Sequence, residues 1–246
     1  MLSRSCIVNI FGYPIKFHRE ESEMIKKDVP RRMEAMELKI RRTMAALEKN
    51  NMHAYYAPTS EDAVRVVESL LNEGDVISCG GSVTLDATGV KELMRSGKYD
   101  FMDREVVATD AERQVIYRKT FSADAFITSS NAITENGELY NVDGGGNRVA
   151  AMLFGPSKVI VVAGYNKIVR DLDAAAAYVK GITTPANALR LHMDTPCTHG
   201  ACPGTDGDMC SGCRSENRLC SLYTVMARQR NKDRVHVVLV GEEVGY

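Results

Sequence analysis

KVIVVAG, residues 158–164, is the most hydrophobic strand-like run in the chain, and its reading decides the fold. Val and Ile follow one another with no polar alternation, which is what a strand covered on both faces requires. RVHVVLVG (234–241) has the same character near the end of the chain, and DAFITSS (124–130) and DVISC (75–79) have it upstream. HAYYA (53–57) and ELYNVD (138–143) read as further strands, the second after the turn residues Asn136-Gly137. Helical patterns lie between them. Met33, Met36, Ile40, Met44 and Leu47 recur at helical spacing after Pro30, which fits a helix start. Thr59-Ser60-Glu61-Asp62 caps a helix carrying Val64, Val67 and Leu71 and ended by Gly74. Further helical segments run to Gly97, over 110–121, after Gly144-Gly145-Gly146, and over 171–179. This alternation predicts an α/β fold, a mainly parallel sheet flanked by helices. Residues 1–50 are expected to form a lead-in and a helix packed on a domain spanning 51–246.

Composition narrows the function classes. Charges nearly cancel, with 31 Lys and Arg against 32 Asp and Glu, so neither nucleic acid nor an acidic membrane surface is an expected partner. No apolar run approaches the ~18 residues of a membrane span. The N-terminal SCIVNIFGYPIKFH is short, broken and without a small-residue cleavage site, so it does not read as a signal peptide and the expected compartment is the cytoplasm.

Two glycine-rich segments follow strands. SCGGSVTLDATG (78–89) joins a strand to a helix. Glycines there let backbone amides approach an anion, with the hydroxyls of Ser82 and Thr84 beside Gly80 and Gly81. The segment matches neither the Walker pattern nor the dinucleotide fingerprint. The second, 129–152, offers Asn131, Thr134, Glu135, Asp143, Asn147 and Arg148. Arg148 can hold a carboxylate or phosphate, and Glu135 can act as a base or nucleophile if desolvated. For Asn136-Gly137 a simple hairpin turn is the better account. Asn166 and Lys167 end the 158–164 strand on the same side, where open α/β sheets bind ligands.

Residues 184–220 break the composition, being rich in Pro, Gly and Cys, and read as an excursion before the last strand. Cys197-x4-Cys202-x7-Cys210-x2-Cys213-x6-Cys220 places five of the seven cysteines there. In a reducing compartment such a cluster points to metal rather than disulfides. Cys210 and Cys213 can chelate one metal, and zinc and an iron–sulfur cluster both accept four thiolates. His192 and His199 flank the cluster, and a loop histidine of this kind more often faces solvent. Cys79 ends a buried strand and reads as core; Cys6 lies far away.

ITSSNAITENGELYNVDGGGNRVAAMLFGPSKVIVVAGYNKIVRDLDAA, with GGSVTL and the closing VHVVLVGEEVGY, resembles the LUD domain of lactate-utilisation proteins over roughly residues 20–246. The resemblance implies a fold related to the sugar-phosphate isomerase, glucosamine-phosphate deaminase and CoA-transferase superfamily. It also implies phosphate or cofactor binding at Gly80, Gly81, Ser82 and Thr84, and a part in oxidising lactate-type acids alongside redox partner subunits. Thr134-Glu135-Asn136-Gly137 is similar to the Ser-Glu-Asn-Gly of CoA transferases, making Glu135 the candidate nucleophile of an alternative acyl- or CoA-transfer or sugar-phosphate enzyme; a non-enzymatic ligand-binding or assembly subunit with structural zinc is a further alternative. Stand-alone relatives carry Pro-Cys, Cys-x2-Cys and Arg-x-Cys, which implies Cys197, Cys210, Cys213 and Cys220 as ligands, with Cys202 as a substitute. A [4Fe–4S] cluster is then the expected cofactor and structural zinc its alternative. An anionic small molecule is the expected ligand, and a homo-oligomer is compatible with the sequence.

Overall fold

The computed structural model describes residues 19–204 and 208–246. The lead-in before 19, Cys6 included, lies outside them. The chain separates into two compact units, residues 1–38 and 39–246. The first is helical over its described part, since α1 (Arg19–Lys49) crosses the boundary. The helix thus runs through Pro30 instead of starting there: REESEMIKKD (19–28) is built of strong helix formers, which offset the one hydrogen bond a proline removes. The second unit takes in the last turns of α1, where Ile40, Thr43 and Leu47 are buried.

Within that unit, strands β1 (His53–Ala57), β2 (Val76–Cys79), β3 (Asp100–Met102), β4 (Ala125–Thr128), β5 (Ala132–Thr134), β6 (Leu139–Asp143), β7 (Lys158–Gly164), β8 (Ile168–Val169), β9 (Leu222–Met226) and β10 (Val235–Val240) form two sheets. The larger runs β3-β2-β4-β7-β10-β1, with every pairing parallel. Its centre is the run read first from the sequence: Val159–Ala163 are completely buried, as are Val237–Val240 beside them. Helices α2 (Ser60–Ser69), α3 (Val83–Ala87), α4 (Val90–Met94), α5 (Asp110–Lys119), α6 (Asn147–Leu153), α7 (Leu172–Tyr178) and α8 (Thr184–Arg190) complete the unit. Thr59 and Asp62 cap α2 reciprocally, each side chain accepting from the other's backbone amide at 3.2 Å. Cys79 sits in the apolar cluster under α2, α3 and α4, and burial pushes its thiol up to about 11. It is core.

The smaller sheet, β8-β5-β6-β9, is largely antiparallel and was not expected as a separate sheet. Its strands are short, and β9 follows the cysteine-rich segment directly. That segment is therefore an excursion between α8 and β9, held at both ends by regular structure. No helix among the described residues is long and apolar enough to cross a membrane.

Gly137 joins β5 to β6 at φ +79°, and a Cβ there would lie 2.6 Å from the carbonyl carbon of Ala46. Both the turn and the last turns of α1 demand a bare glycine. Gly181, in the π turn Val179–Thr183, has open space around its Cα and no left-handed backbone. Gly137→Ala is expected to destabilise the protein by more than about 2 kcal/mol, the strain of a left-handed residue plus the clash. Gly181→Ala should stabilise it by about 0.4–1 kcal/mol. Urea unfolding of the two variants measures both signs.

Candidate functional site: a cationic cavity at the carboxyl ends of the strands

A cavity of about 340 Å³ opens beyond the carboxyl ends of β2, β4 and β7. The turn after β2 contributes Gly81, Ser82 and Thr84, the turn after β4 Ser129, Ser130 and Asn131, and the turn after β7 Lys167. Asp143, Asn147 and Arg148 enter from the β6–α6 connection, Asn187 and Arg190 from α8, and Arg104 and Tyr246 complete it. The structure thus brings together residues that three separate glycine-bounded turns nominate in the sequence.

Their roles differ from the expected ones. Arg148 donates Nε to Asp143 Oδ1 at 2.9 Å, and Nη1 to Asn141 Oδ1 at 2.6 Å and the Ser129 carbonyl at 3.1 Å. Its Nη2 reaches Asn131 Oδ1 at 2.7 Å and Asp143 Oδ1 at 2.7 Å. A guanidinium has five N–H donors, and these contacts use them, so Arg148 is an internal clamp rather than an anion receptor. Asp143 also accepts from the Arg148 and Val149 amides and so starts α6. Asn131 is committed as well, its Oδ1 also accepting from the Val142 amide at 2.9 Å.

The glycine turn acquires a second explanation. A Cβ on Gly80 would meet Arg148 Cγ at 2.9 Å, and one on Gly81 would overlap the Arg104 guanidinium. The glycines make room for two arginine side chains over the end of β2. Ser82 caps α3, its Oγ accepting from the Leu85 amide at 3.3 Å. Asn166 is not part of the cavity wall and fastens the tail, its Nδ2 donating to the Gly245 carbonyl at 3.0 Å. Glu135 lies outside the cavity at the far end of β5, 3.3 Å from Arg42 Nη2 and 3.9 Å from Lys39 Nζ. The three-residue strand separates Glu135 from Asn131 by about 13 Å of extended chain, so the structure does not bring it to the ligands expected for it.

Lys167 is 2% exposed. Its Nζ donates to Thr84 Oγ1 at 2.9 Å and Ser129 Oγ at 3.0 Å, and no carboxylate among the described residues pairs with it. Burial, with the Arg148 charge nearby, pushes this amine down to about 7. Arg104 donates to the Tyr117 hydroxyl at 2.8 Å and Arg190 to Asn187 Oδ1 at 2.8 Å. Neither forms an ion pair with a described carboxylate. The Tyr246 hydroxyl is buried with no hydrogen-bond partner among the described residues. Arg104, Arg190 and Tyr246 were not expected from the sequence: Arg104 follows the three-residue strand β3, Tyr246 follows Gly245 in the tail after β10, and Arg190 ends α8.

Beside this cavity, Cys197, Cys202, Cys213 and Cys220 line a second, small void with Lys180 and Arg218. Thr184 and Leu219 belong to both walls. Arg218 donates to the carbonyls of Cys220, Cys213 and Cys210 at 2.9, 3.0 and 3.0 Å, fixing the loop backbone. Cys210 is exposed and outside the lining, which differs from the expected ligand set. None of the described cysteines forms a disulfide. The donor chemistry suits a metal, since four thiols and two cations face one void, and cations stabilise thiolates. The buried Tyr140 hydroxyl, close to Cys210, Cys220 and Tyr223, has no partner among the described residues. As placed, no three His, Cys, Asp or Glu side chains among the described residues stand close enough to hold one ion.

Residues 40–240 match the model of the LUD domain. The chain belongs to the LUD domain family. Among solved structures, it is similar to a DUF162 family protein from Deinococcus radiodurans, with 13% identity over 83% of this chain and 98% of that one and a TM-score of 0.48. It is also similar to eIF2B delta from Chaetomium thermophilum, with 21% identity over 46% of this chain and 49% of that one and a TM-score of 0.33. No curated protein matches the sequence. In this LUD domain the family segment contains the whole parallel sheet and both voids, apart from the tail residue Tyr246.

Because the folded amine of Lys167 titrates at about 7 and an ordinary lysine at 10.5, the unfolded chain holds one more proton between those values. Stability therefore rises with pH across that window, by up to about 1.4 kcal/mol per pH unit from this group. The unfolding free energy of wild type minus that of Lys167→Met should grow with this slope from pH about 7 to 10 and be flat below. Urea titrations at successive pH values measure it.

Proposed function

We propose that this LUD-domain chain binds a small organic-acid anion in the cavity and takes part in the oxidation of lactate-type acids. One observation carries the reading: Arg104 and Arg190 line a 340 Å³ cavity in which the sole lining carboxylate among the described residues, Asp143, is already spent on Arg148. Uncompensated cations in a partly desolvated cleft favour an anionic guest. The Tyr246 hydroxyl supplies a further unspent donor. Calorimetric titration with L-lactate, pyruvate and inorganic phosphate tests the reading. Binding of at least one is expected, weakened about 10- to 100-fold in Arg104→Gln and in Arg190→Gln, the range for losing a hydrogen bond to a charged group. Absence of any binding, or affinity unchanged in both variants, would overturn it.

A second reading concerns the loop. Four thiols line one small void, which supports a thiolate-held metal centre through Cys197, Cys202, Cys213 and Cys220, reached by drawing the four closer than they now stand. A [4Fe–4S] cluster there would supply one-electron chemistry next to the cavity; zinc would supply a clip. Protein purified anaerobically is expected to contain iron and acid-labile sulfide. Cys202→Ser should lose the metal and Cys210→Ser should keep it. Zinc without sulfide would replace the cluster with a structural ion, and metal-free protein would remove both.

A further inference from the structure

The amine of Lys167 is held in a way that anion binding alone does not need. It rises from the turn after β7 into the cavity, deeply buried, with two hydroxyls as its hydrogen-bond partners. A neutral amine that donates both hydrogens to Thr84 and Ser129 keeps its lone pair unspent. The charged groups around it are Arg148 from α6, Arg104 and Arg190 across the cavity, and Asp143, which is bound to Arg148. Of these, the Arg148 charge, together with burial, opposes protonation of Lys167. Desolvation beside another cation is how a lysine becomes a nucleophile at neutral pH.

We propose that Lys167 is a catalytic nucleophile whose Nζ condenses with the carbonyl carbon of a 2-oxo acid bound in the cavity, giving an imine. The assignment rests on the anion-binding reading above: the arginines take the carboxylate, and the amine takes the adjacent carbonyl. The lone pair of Nζ forms the C–N bond while the carbonyl oxygen gains a proton, giving a carbinolamine. The C–O bond then breaks, and the oxygen leaves as water with the two hydrogens that the amine contributed. Nothing is oxidised or reduced, and no co-reactant is needed. The imine conjugated to the carboxylate is an electron sink for bonds at the neighbouring carbon, which gives this cavity a chemistry suited to the oxidised partner of a hydroxy acid. An ordinary lysine is neutral in only about one molecule in 10³ at pH 7, whereas Lys167 titrates at about 7. Lys167 therefore stands apart from the surface lysines.

Borohydride trapping tests the step. The full chain is incubated with pyruvate or 2-oxoglutarate, reduced, and mapped by peptide mass spectrometry, with calorimetric binding of the same acids measured in parallel. A single reduced adduct on Lys167 is expected. It should rise with pH through about 7, be absent with L-lactate, which has no keto group, and be absent in Lys167→Arg. Pyruvate binding without a trapped adduct, an adduct on other lysines, or one that persists in Lys167→Arg would overturn the nucleophile. Lactate or phosphate binding with no 2-oxo acid binding would overturn it and leave the anion site standing. Failure of every anion to bind would remove both. Because the wild-type adduct is located by its peptide, the result does not depend on the variant folding.

Discussion

The guanidinium of Arg148 is the interaction on which the rest of the unit depends. Its donors meet Asp143, Asn131, Asn141 and the carbonyls of Ser129 and Val142, so one side chain joins the end of β4, the length of β6 and the start of α6. The aliphatic stem lies against Gly80 at the end of β2. Removing one partner of such a buried pair leaves a charge without compensation, the costly case for ions in an interior. The clamp also sets the electrostatics of the cavity: it consumes Asp143, the one lining carboxylate among the described residues, and leaves its own positive charge beside Lys167.

From there the geometry propagates outward. Lys167 bridges Thr84 on α3 and Ser129 after β4, so the turns after β2, β4 and β7 are locked to one another around the same amine. Thr84 Oγ1 in turn donates to the Val244 carbonyl at 3.3 Å, bringing the tail after β10 over the cavity. The smaller sheet extends this arrangement to the cysteine-rich loop. β9 pairs with β6 from Leu139↔Met226 to Asp143↔Leu222, which anchors Cys220 two residues from the strand that carries Asp143's partner. Arg218 performs for the loop what Arg148 performs for the cavity, gathering carbonyls from three cysteines onto one planar group. With Thr184 and Leu219 common to both walls, a ligand in one void and a metal in the other would be neighbours.

Much of this was legible in the order of residues. The apolar runs at 159–163 and 237–240, punctuated by glycines, require a sheet covered on both faces, and that requirement implies parallel strands. The capping of α2, the turn at Gly137 and the core position of Cys79 follow from local chemistry that operates within a few residues. The smaller sheet was not legible, because strands of two and three residues carry no periodicity. The extension of α1 through Pro30 runs against the local proline signal, because the helix formers at 19–28 offset the one hydrogen bond the proline removes.

What the sequence by itself determined is the α/β architecture and the set of turns that face one another at the sheet's end, since hydrophobic periodicity and glycine positions act locally. Which polar side chains are spent and which remain available was decided only by the tertiary structure. Arg148 and the Asn131 side-chain oxygen look in sequence like ligand groups and are engaged within the fold, while Arg104, Arg190 and Tyr246 also line the cavity. Glu135 sits in a suggestive tetrapeptide and faces Lys39 and Arg42 instead. Hydrogen-bond partners and desolvation can come from residues tens of positions away, so the burial of Lys167 between Thr84 and Ser129, and the placing of Cys202 instead of Cys210 in the wall of the second void, arise only when distant segments meet.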